Sequence, residues 1–406
     1  MDPVVFARQP IFDSDLNAVG YELLYRKASQ DHADFIDGEH ATARVVVGAI
    51  VDVGLDVVVG EHPAFINVTR ALLCGERLQT LPAQRVVLEI LEDIEIDDEV
   101  VDSCRVLKAL GYTFALDDFV FREGYQRLIG LVSYVKLDVM ALGMDGIRQA
   151  KERLAEYTHL TLVAEKIETK GEFAACKQLG FTMFQGYFLA RPSRLEHNGV
   201  APARHTLLRL VARVYDPDVT LQEIERIISS DVGLSYRILR IINSAYYHLP
   251  RKVNSVRQAV SLLGMRFTRT WVSLIALADL GDAPAEIVTA AAVRAKFCER
   301  LAQIRGLDET DAYYISGLFS MLDAIMDRPL EDVVSSLPLT GDIKQALLGG
   351  EGPIGAALSC VLAHEHADWG ALNYEGLDEE AIQQAYLEAL AWAFRTREAL
   401  WAAVAA

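Results

Sequence analysis

Cationic residues are in short supply: 39 Lys and Arg face 57 Asp and Glu, giving a formal net charge of −18 over 406 residues. A surface of that sign repels polyanions, and non-specific nucleic-acid binding needs several Lys or Arg contacts to phosphates, so no nucleic-acid partner is expected. A small anionic ligand stays compatible with the balance if a pocket gathers positive charge locally. Long apolar runs are also missing. Stretches such as Trp271 to Ala278 are stopped by Asp279, well short of the roughly 20 residues that cross a bilayer, so no membrane span is expected. The first residues, Met1-Asp2-Pro3-Val4, contain neither the basic nor the apolar part of a secretory signal, which points to a cytoplasmic location. Cysteine is sparse and unpaired in sequence: Cys74, Cys104, Cys176, Cys298 and Cys360 form no C-x-x-C and read as small buried hydrophobes in a reducing compartment. There is no G-x-G-x-x-G turn, no short-period repeat and no low-complexity tract.

What is present is core-forming material, with 51% hydrophobic and 24% charged residues in a chain long enough for two or three domains. Up to Ala190, short apolar runs alternate with amphipathic stretches. The runs are Ala18 to Leu24, Ala64 to Val68, Arg85 to Ile90, Thr113 to Leu116, Tyr134 to Val139, Leu160 to Ala164 and Met183 to Leu189. Most are near-continuous Val, Ile, Leu or Phe, as in strands buried on both faces. Asp98 to Leu110 and Lys170 to Leu179 read as helices closed by Gly111 and Gly180. With an eighth strand near the N-terminus or in Gly143 to Gln149, this spells an α/β protein with a closed parallel barrel of the TIM type; an open doubly wound sheet is the runner-up. The barrel is expected over residues 1–195, a linker over 196–203, and an all-α domain over 204–406. In the second half Thr220-x-x-Glu223 and Ser255-x-x-Gln258 look like capping boxes opening amphipathic helices.

Polar residues stand where the apolar runs end: Glu22, Asn67, Glu89, the pair Asp117-Asp118, and Glu165 with Glu168. Lys136 and Asp138 share a strand face through their i, i+2 spacing. In a βα barrel the C-terminal strand ends converge on one mouth, so separate segments would deliver carboxylates and an amide to a single cavity. Carboxylates gathered in a low-dielectric pocket need a counter-charge. Hard oxygen donors without Cys or His favour Mg²⁺, Mn²⁺ or Ca²⁺ over zinc. Adjacent Asp117 and Asp118 suit a two-ion site for phosphodiester hydrolysis, and Lys136 suits neutralising developing charge or positioning water.

These residues carry a resemblance. Gln9-Pro10-Ile11 with Gly20-x-Glu22-Leu23-Leu24-x-Arg26, then Phe-Ile-Asn67-Val, Leu-Glu89-Ile-Leu-Glu, Asp117-Asp118-Phe119, Lys136-Leu137-Asp138, Ala164-Glu165-Lys166-Ile167-Glu168 and Gln185-Gly186-Tyr187, resemble in order the motifs of EAL cyclic di-GMP phosphodiesterases over residues 5–192. The resemblance implies that Glu22, Asn67, Glu89 and Asp117 ligate one metal ion, Mg²⁺ or Mn²⁺, with Asp118 toward a second. It further implies that Lys136, Glu165, Glu168 and Gln185 complete the reactive site, and that Gln9 and Arg26 hold the dinucleotide. Two departures stand out. Where the family has a glycine-rich, serine-containing loop that orders the metal site and a dimer face, this chain reads Val120-Phe121-Arg122-Glu123-Gly124-Tyr125-Gln126, which leaves a homodimer open; and Lys166 stands where glycine is usual.

The helical half, through Asp231 to Tyr247 and Ser255 to Gly264, resembles the HDOD domain, a relative of HD phosphohydrolases, over roughly residues 203–400. The segment that should hold the metal-binding His-Asp pair reads Gly317-Leu318-Phe319-Ser320-Met321-Leu322-Asp323, without histidine, so a non-catalytic module that binds a protein partner is expected. His364 and His366, at i, i+2, do not face one another on a helix and read as solvated or capping rather than metal-binding. Asn243, Ser244 and Tyr246 read as a hydrogen-bond network in preference to a ligand pocket. The resemblances together imply a cyclic di-GMP signalling protein whose barrel hydrolyses the dinucleotide to its linear form, or holds it without turnover as a receptor or scaffold.

Overall fold

The structure is a computed structural model that describes residues 4–27, 54–186 apart from 76–77, 79–80 and 123, and 202–404 apart from 245, 248, 250–251 and 281–283. It divides into two compact units, residues 1–191 with 363–372, and residues 192–362 with 373–406.

The first unit is a closed barrel of eight strands in sequence order: β1 (Val4–Asp13), β2 (Ala18–Lys27), β3 (Ala64–Val68), β4 (Val86–Ile90), β5 (Thr113–Leu116), β6 (Tyr134–Asp138), β7 (Thr161–Glu165) and β8 (Met183–Gln185). The eighth strand is the N-terminal one; Gly143 to Gln149 belongs to the helix Val139–Leu154, which is kinked at Gly143. The expected all-parallel order is corrected at one place. β1 runs antiparallel to both β2 and β8, while β2 through β8 pair in parallel. The cause is the short connection between β1 and β2. Asp13 folds it by accepting hydrogen bonds from Asp15 N at 2.8 Å and Asn17 N at 2.9 Å. A tight turn can only reverse the chain, whereas a parallel neighbour requires a crossover of a dozen residues or more.

Inside the barrel the side chains form layers. Ile11, Phe65, Val87, Ala115 and Val163 make a buried apolar cluster, with Val19, Tyr134 and Met183 packed against it. The residues two further along the parallel strands, hence on the same face, are Asn67, Glu89, Asp117, Lys136, Glu165 and Gln185. One strand step therefore converts a hydrophobic floor into a polar layer at the C-terminal mouth. Because β1 is reversed, its contribution to that layer is Gln9, two residues before Ile11 rather than after it. Gly20 is required beneath Glu22, since a Cβ there would stand 2.7 Å from the Phe65 ring.

Helices cover the barrel and start at defined caps: Asp97 accepts from Val100 N, Asp138 from Ala141 N, and Thr169 forms a reciprocal capping box with Glu172.

The described part of the second unit is built from helices. Residues 187–201 lie outside the described residues, and the helix Pro202–Val214 already includes Pro202 and Ala203 of the expected linker, proline being at ease in a first turn. Thr220, Asp231 and Ser255 cap the helices Leu221–Ser229, Val232–Ile242 and Val256–Asp279; the last bends at Gly264 instead of ending there. Glu223 turns its carboxylate to Arg213 at 2.7 Å. Asn243 donates to Leu239 O and Val253 O and accepts from Val253 N, each at 2.8 Å, tying the end of its helix to the next segment. In the segment 363–372, which belongs with the first unit, His366 is exposed, but His364 is fully buried with its ring edge-on to Trp369, which corrects the solvated half of the expectation of a solvated or capping residue. Residues 341–365 are apolar enough by composition for a membrane span, yet here they form two helices, Gly341–Gly349 and Gly352–Glu365, broken at Gly350 and Gly352, both in the left-handed region.

The helices Ala285–Ile304 and Thr310–Phe319 approach so closely at Gly317 that a Cβ would lie 2.5 Å from Arg294 O and 2.7 Å from Ala295 Cα. Gly317→Ala is expected to cost about 1–3 kcal/mol through forced separation of the two helices, read as a lower denaturation midpoint. Gly341→Ala, where nothing stands within 4 Å, is the control expected to be neutral or stabilising. Equal midpoints for Gly317→Ala and the parent would refute the close approach.

Candidate functional site

The polar layer is organised around one cation. Lys136 on β6 is 1% exposed, and its Nζ lies 2.5 Å from Glu165 Oε1, 2.7 Å from Glu89 Oε1, 2.8 Å from Asp117 Oδ1 and 3.1 Å from Glu22 Oε2. These carboxylates arrive from β2, β4, β7 and the residue following β5, so the barrel topology alone brings them together. Amides complete the layer. Asn67 Nδ2 donates to Glu22 Oε1 at 3.0 Å, and Gln185 Nε2 donates both to Glu22 Oε2 at 2.7 Å and to Gln9 Oε1 at 2.8 Å. Tyr25 fixes the Asn67 backbone by donating its hydroxyl to Asn67 O at 2.7 Å. Sequence reasoning misses Tyr25, whose place beside Arg26 on a strand gives no cue to that contact.

Burial disfavours the Lys136 ammonium, but Glu165, Glu22, Glu89 and Asp117 together outweigh it and hold its pKa well above that of an ordinary lysine. The carboxylates divide. Burial pushes Glu165 up to about 8 despite Lys136. Burial and the charge of Glu22 lift Glu89 well above the usual range, and burial lifts Asp117 as well. Glu22 goes the other way: burial opposes its charge, yet Lys136 and the donors Gln185 and Asn67 carry its pKa down. One ammonium thus serves several buried acids, and negative charge is in surplus.

Those residues fit a divalent ion by donor chemistry. Asn67 Oδ1, Gln185 Oε1 and Glu89 Oε2 are buried without a hydrogen bond, and Glu89 Oε1 has only the Lys136 ion pair, leaving hard-oxygen donor capacity unused. Among the described residues no three His, Cys, Asp or Glu side chains are already arranged as metal ligands; the acids of the barrel are drawn to Lys136 Nζ.

Asp118 stands apart from that cluster. Its partner is Lys166, whose Nζ donates to Asp118 Oδ1 at 2.9 Å and Oδ2 at 3.1 Å, and to Asp138 Oδ2 at 2.7 Å. Asp118 and Lys166 both have positive φ, 40° and 53°, a conformation that costs a lysine about 1–2 kcal/mol and that an aspartate adopts more readily. Asp138 also caps its helix through Oδ1. Its sequence position shows only that it shares a face with Lys136. Glu168 is half-buried at the start of the turn leading to the capping box, where its N–H donates to Glu172 Oε2 at 2.9 Å. Gly186, at φ 147°, lets this segment lie on β8: a Cβ would stand 2.2 Å from Ile167 O, and Ile167 N donates to Gln185 O at 3.1 Å. Arg26 lies on β2 opposite Val5, and its side chain falls outside the described residues.

The altered loop after Asp118 is held by aromatic packing. Phe119 is buried and meets Phe121 and Tyr125 edge to face at 4.9 and 5.3 Å, and the Arg153 guanidinium covers the Phe121 ring at 3.5 Å. Arg122 Nη1 and the Tyr125 hydroxyl donate to Glu92 O at 3.2 and 3.3 Å, and Phe119 N donates to Lys136 O at 3.0 Å.

In the helical unit, the segment Gly317 to Asp323 presents Ser320, which accepts a hydrogen bond from Arg294 Nη1 at 3.2 Å, and a half-buried Asp323 whose pKa burial raises. No metal-ligand cluster lies there among the described residues.

Family comparison matches an EAL domain over residues 59–192 and an HDOD domain over residues 201–331. The cyclic di-GMP phosphodiesterase CdgJ of Vibrio cholerae is 33% identical over 394 residues, covering 95% of this chain and 91% of that protein. The uncharacterized protein YuxH of Bacillus subtilis is 31% identical over 408 residues, covering 98% and 99%. Among solved structures, the calcium and cyclic di-GMP complex of Klebsiella pneumoniae BlrP1 overlaps 47% of this chain and 56% of its own, at 21% identity and a TM-score of 0.39.

The charge surplus sets a pH dependence. Folded Glu165 keeps its proton up to about 8, whereas in the unfolded chain it loses it near 4.5. Between those values the folded state binds more protons, so stability falls as pH rises. Chelator-treated protein is expected to lose stability across that window in denaturant titrations, and Glu165→Gln to flatten the slope. An identical slope in the variant would refute the assignment.

Proposed function

Because the chain belongs to the family of two-domain proteins in which an EAL domain precedes an HDOD domain, we propose that its barrel is a phosphodiesterase site acting on cyclic di-GMP. The observation that carries this reading is the buried oxygen-lined mouth, with negative charge in surplus over Lys136 and acceptors left unused at Asn67, Glu89 and Gln185. Glu22, Asn67, Glu89 and Asp117 would hold a divalent ion, Mg²⁺ or Mn²⁺. Bound there, such an ion supplies Lewis acidity toward a phosphodiester.

The remaining steps belong to the chain's own side chains. Lys136 counters the negative charge that grows on the phosphoryl oxygens as water attacks. Above about 8, where Glu165 is ionised beside Lys136, its carboxylate takes the proton from that water, and Glu168 stands three residues beyond the end of β7 to support the same side of the mouth. The water oxygen bonds to phosphorus, one phosphorus–ribose oxygen bond breaks, and the proton ends on the ribose oxygen, giving the linear dinucleotide. Gln9, bonded to Gln185, and Arg26 on β2 hold the nucleotide bases and phosphates. The helical unit contributes no chemistry in this reading. It binds a protein partner and passes on the state of the barrel, and the reading carries with it a cytoplasmic location.

The purified full-length chain is expected to linearise cyclic di-GMP with Mg²⁺ or Mn²⁺. Glu22→Ala should lower the rate by about 100-fold or more, since losing even an outer partner of a metal site costs 10–100-fold. Nucleotide analysis by chromatography reads the product. No turnover at high protein concentration with either ion would overturn the enzyme; calorimetric binding of the dinucleotide in that case would leave a receptor, and no binding would leave a scaffold.

A further inference from the structure

Lys166 joins three neighbouring strand ends. It follows β7, it reaches Asp138 at the end of β6, and it engages both oxygens of Asp118, which follows β5 by two residues. The backbone on both sides is unusual as well, because Asp118 and Lys166 both stand in the left-handed region, which a lysine rarely adopts. Two carboxylates from different strands, converging on one point outside the Lys136 cluster, form the arrangement that would otherwise take a small hard cation. Here the cation is covalently part of the chain.

We infer that Lys166 replaces a second divalent ion, so that the barrel binds one such ion per chain instead of two. The inference rests on the metal-site reading proposed above. Its chemistry is competitive. Both Asp118 oxygens already face the ammonium at 2.9 and 3.1 Å, and Asp138 turns Oδ2 to Lys166 and Oδ1 to Ala141 N, so an ion could reach these carboxylates only through oxygens that Lys166 or the helix cap already engages. A divalent ion entering there would have to displace the ammonium from both partners and tolerate its charge nearby. Lys166 is half exposed, so its arm has solvent to withdraw into once its charge or length is changed.

The test is a count of bound ions. Full-length protein stripped with chelator and titrated with Mn²⁺ is followed by the electron paramagnetic resonance of free Mn²⁺. The parent is expected to bind one ion per chain, and both Lys166→Gly and Lys166→Met two. Lys166→Arg keeps the charge and is expected to remain at one. Glycine suits the left-handed position and Met preserves the apolar stem, and a cooperative melt for each confirms folding. Two ions on the parent, or a single ion on both Lys166→Gly and Lys166→Met, would overturn the inference while leaving the metal-site reading intact. No Mn²⁺ on the parent or on any variant would overturn the reading on which it rests.

Discussion

The barrel depends on how one buried ammonium is shared. Lys136 has three N–H donors and four carboxylate neighbours, all with little access to water. Charges in such surroundings are tolerated only when paired and hydrogen-bonded, and removing one member of a buried pair is far more destabilising than replacing the whole set by apolar groups. The layer meets that demand unevenly. Glu22 is saturated by Lys136, Gln185 and Asn67, whereas Glu89 has only the ion pair. The donors gather on one acid, Glu22, and leave Asn67 Oδ1, Gln185 Oε1 and Glu89 Oε2 without a hydrogen bond. A surface with this composition would simply hydrate; inside a barrel the buried acids have only two amides and Lys136 to answer them.

Support for that layer comes from below and from the side. The apolar floor of Ile11, Phe65, Val87, Ala115 and Val163 fixes where each strand face turns polar. Beside it, the segment after Asp117-Asp118 packs Phe119, Phe121 and Tyr125 together and hangs on Glu92 O. A loop lacking the glycine-rich composition usual in EAL domains is thus held by edge-to-face ring packing and hydrogen bonds to Glu92 O.

Much of this is legible in the sequence, for physical reasons. β3 and β5 match the apolar runs because strands covered on both faces are marked by composition itself. The mouth residues stand out because a carboxylate or amide at the end of a buried apolar run must find a partner or lose its hydration without return. Direction is not legible. An apolar run carries no sign, and the reversal of β1 is encoded only in the brevity of the Asp13 to Asn17 turn. Lys166 is visible as unusual but cannot be placed, since its partners depend on two left-handed residues after separate strands. His364 is misjudged from its spacing because i, i+2 says which residues share a face and nothing about which face is covered.

The hairpin at the start of the chain has a temporal consequence. β1 closes the sheet by pairing with β8, and the Gln185 to Gln9 hydrogen bond joins residues 176 positions apart. The entropy of closing so long a loop is lost before that contact forms. During synthesis, then, β1 waits with one edge unpaired until Gln185, 176 positions after Gln9, has emerged. The mouth lacks the Gln185 donor to Glu22 and Gln9 until that last strand arrives.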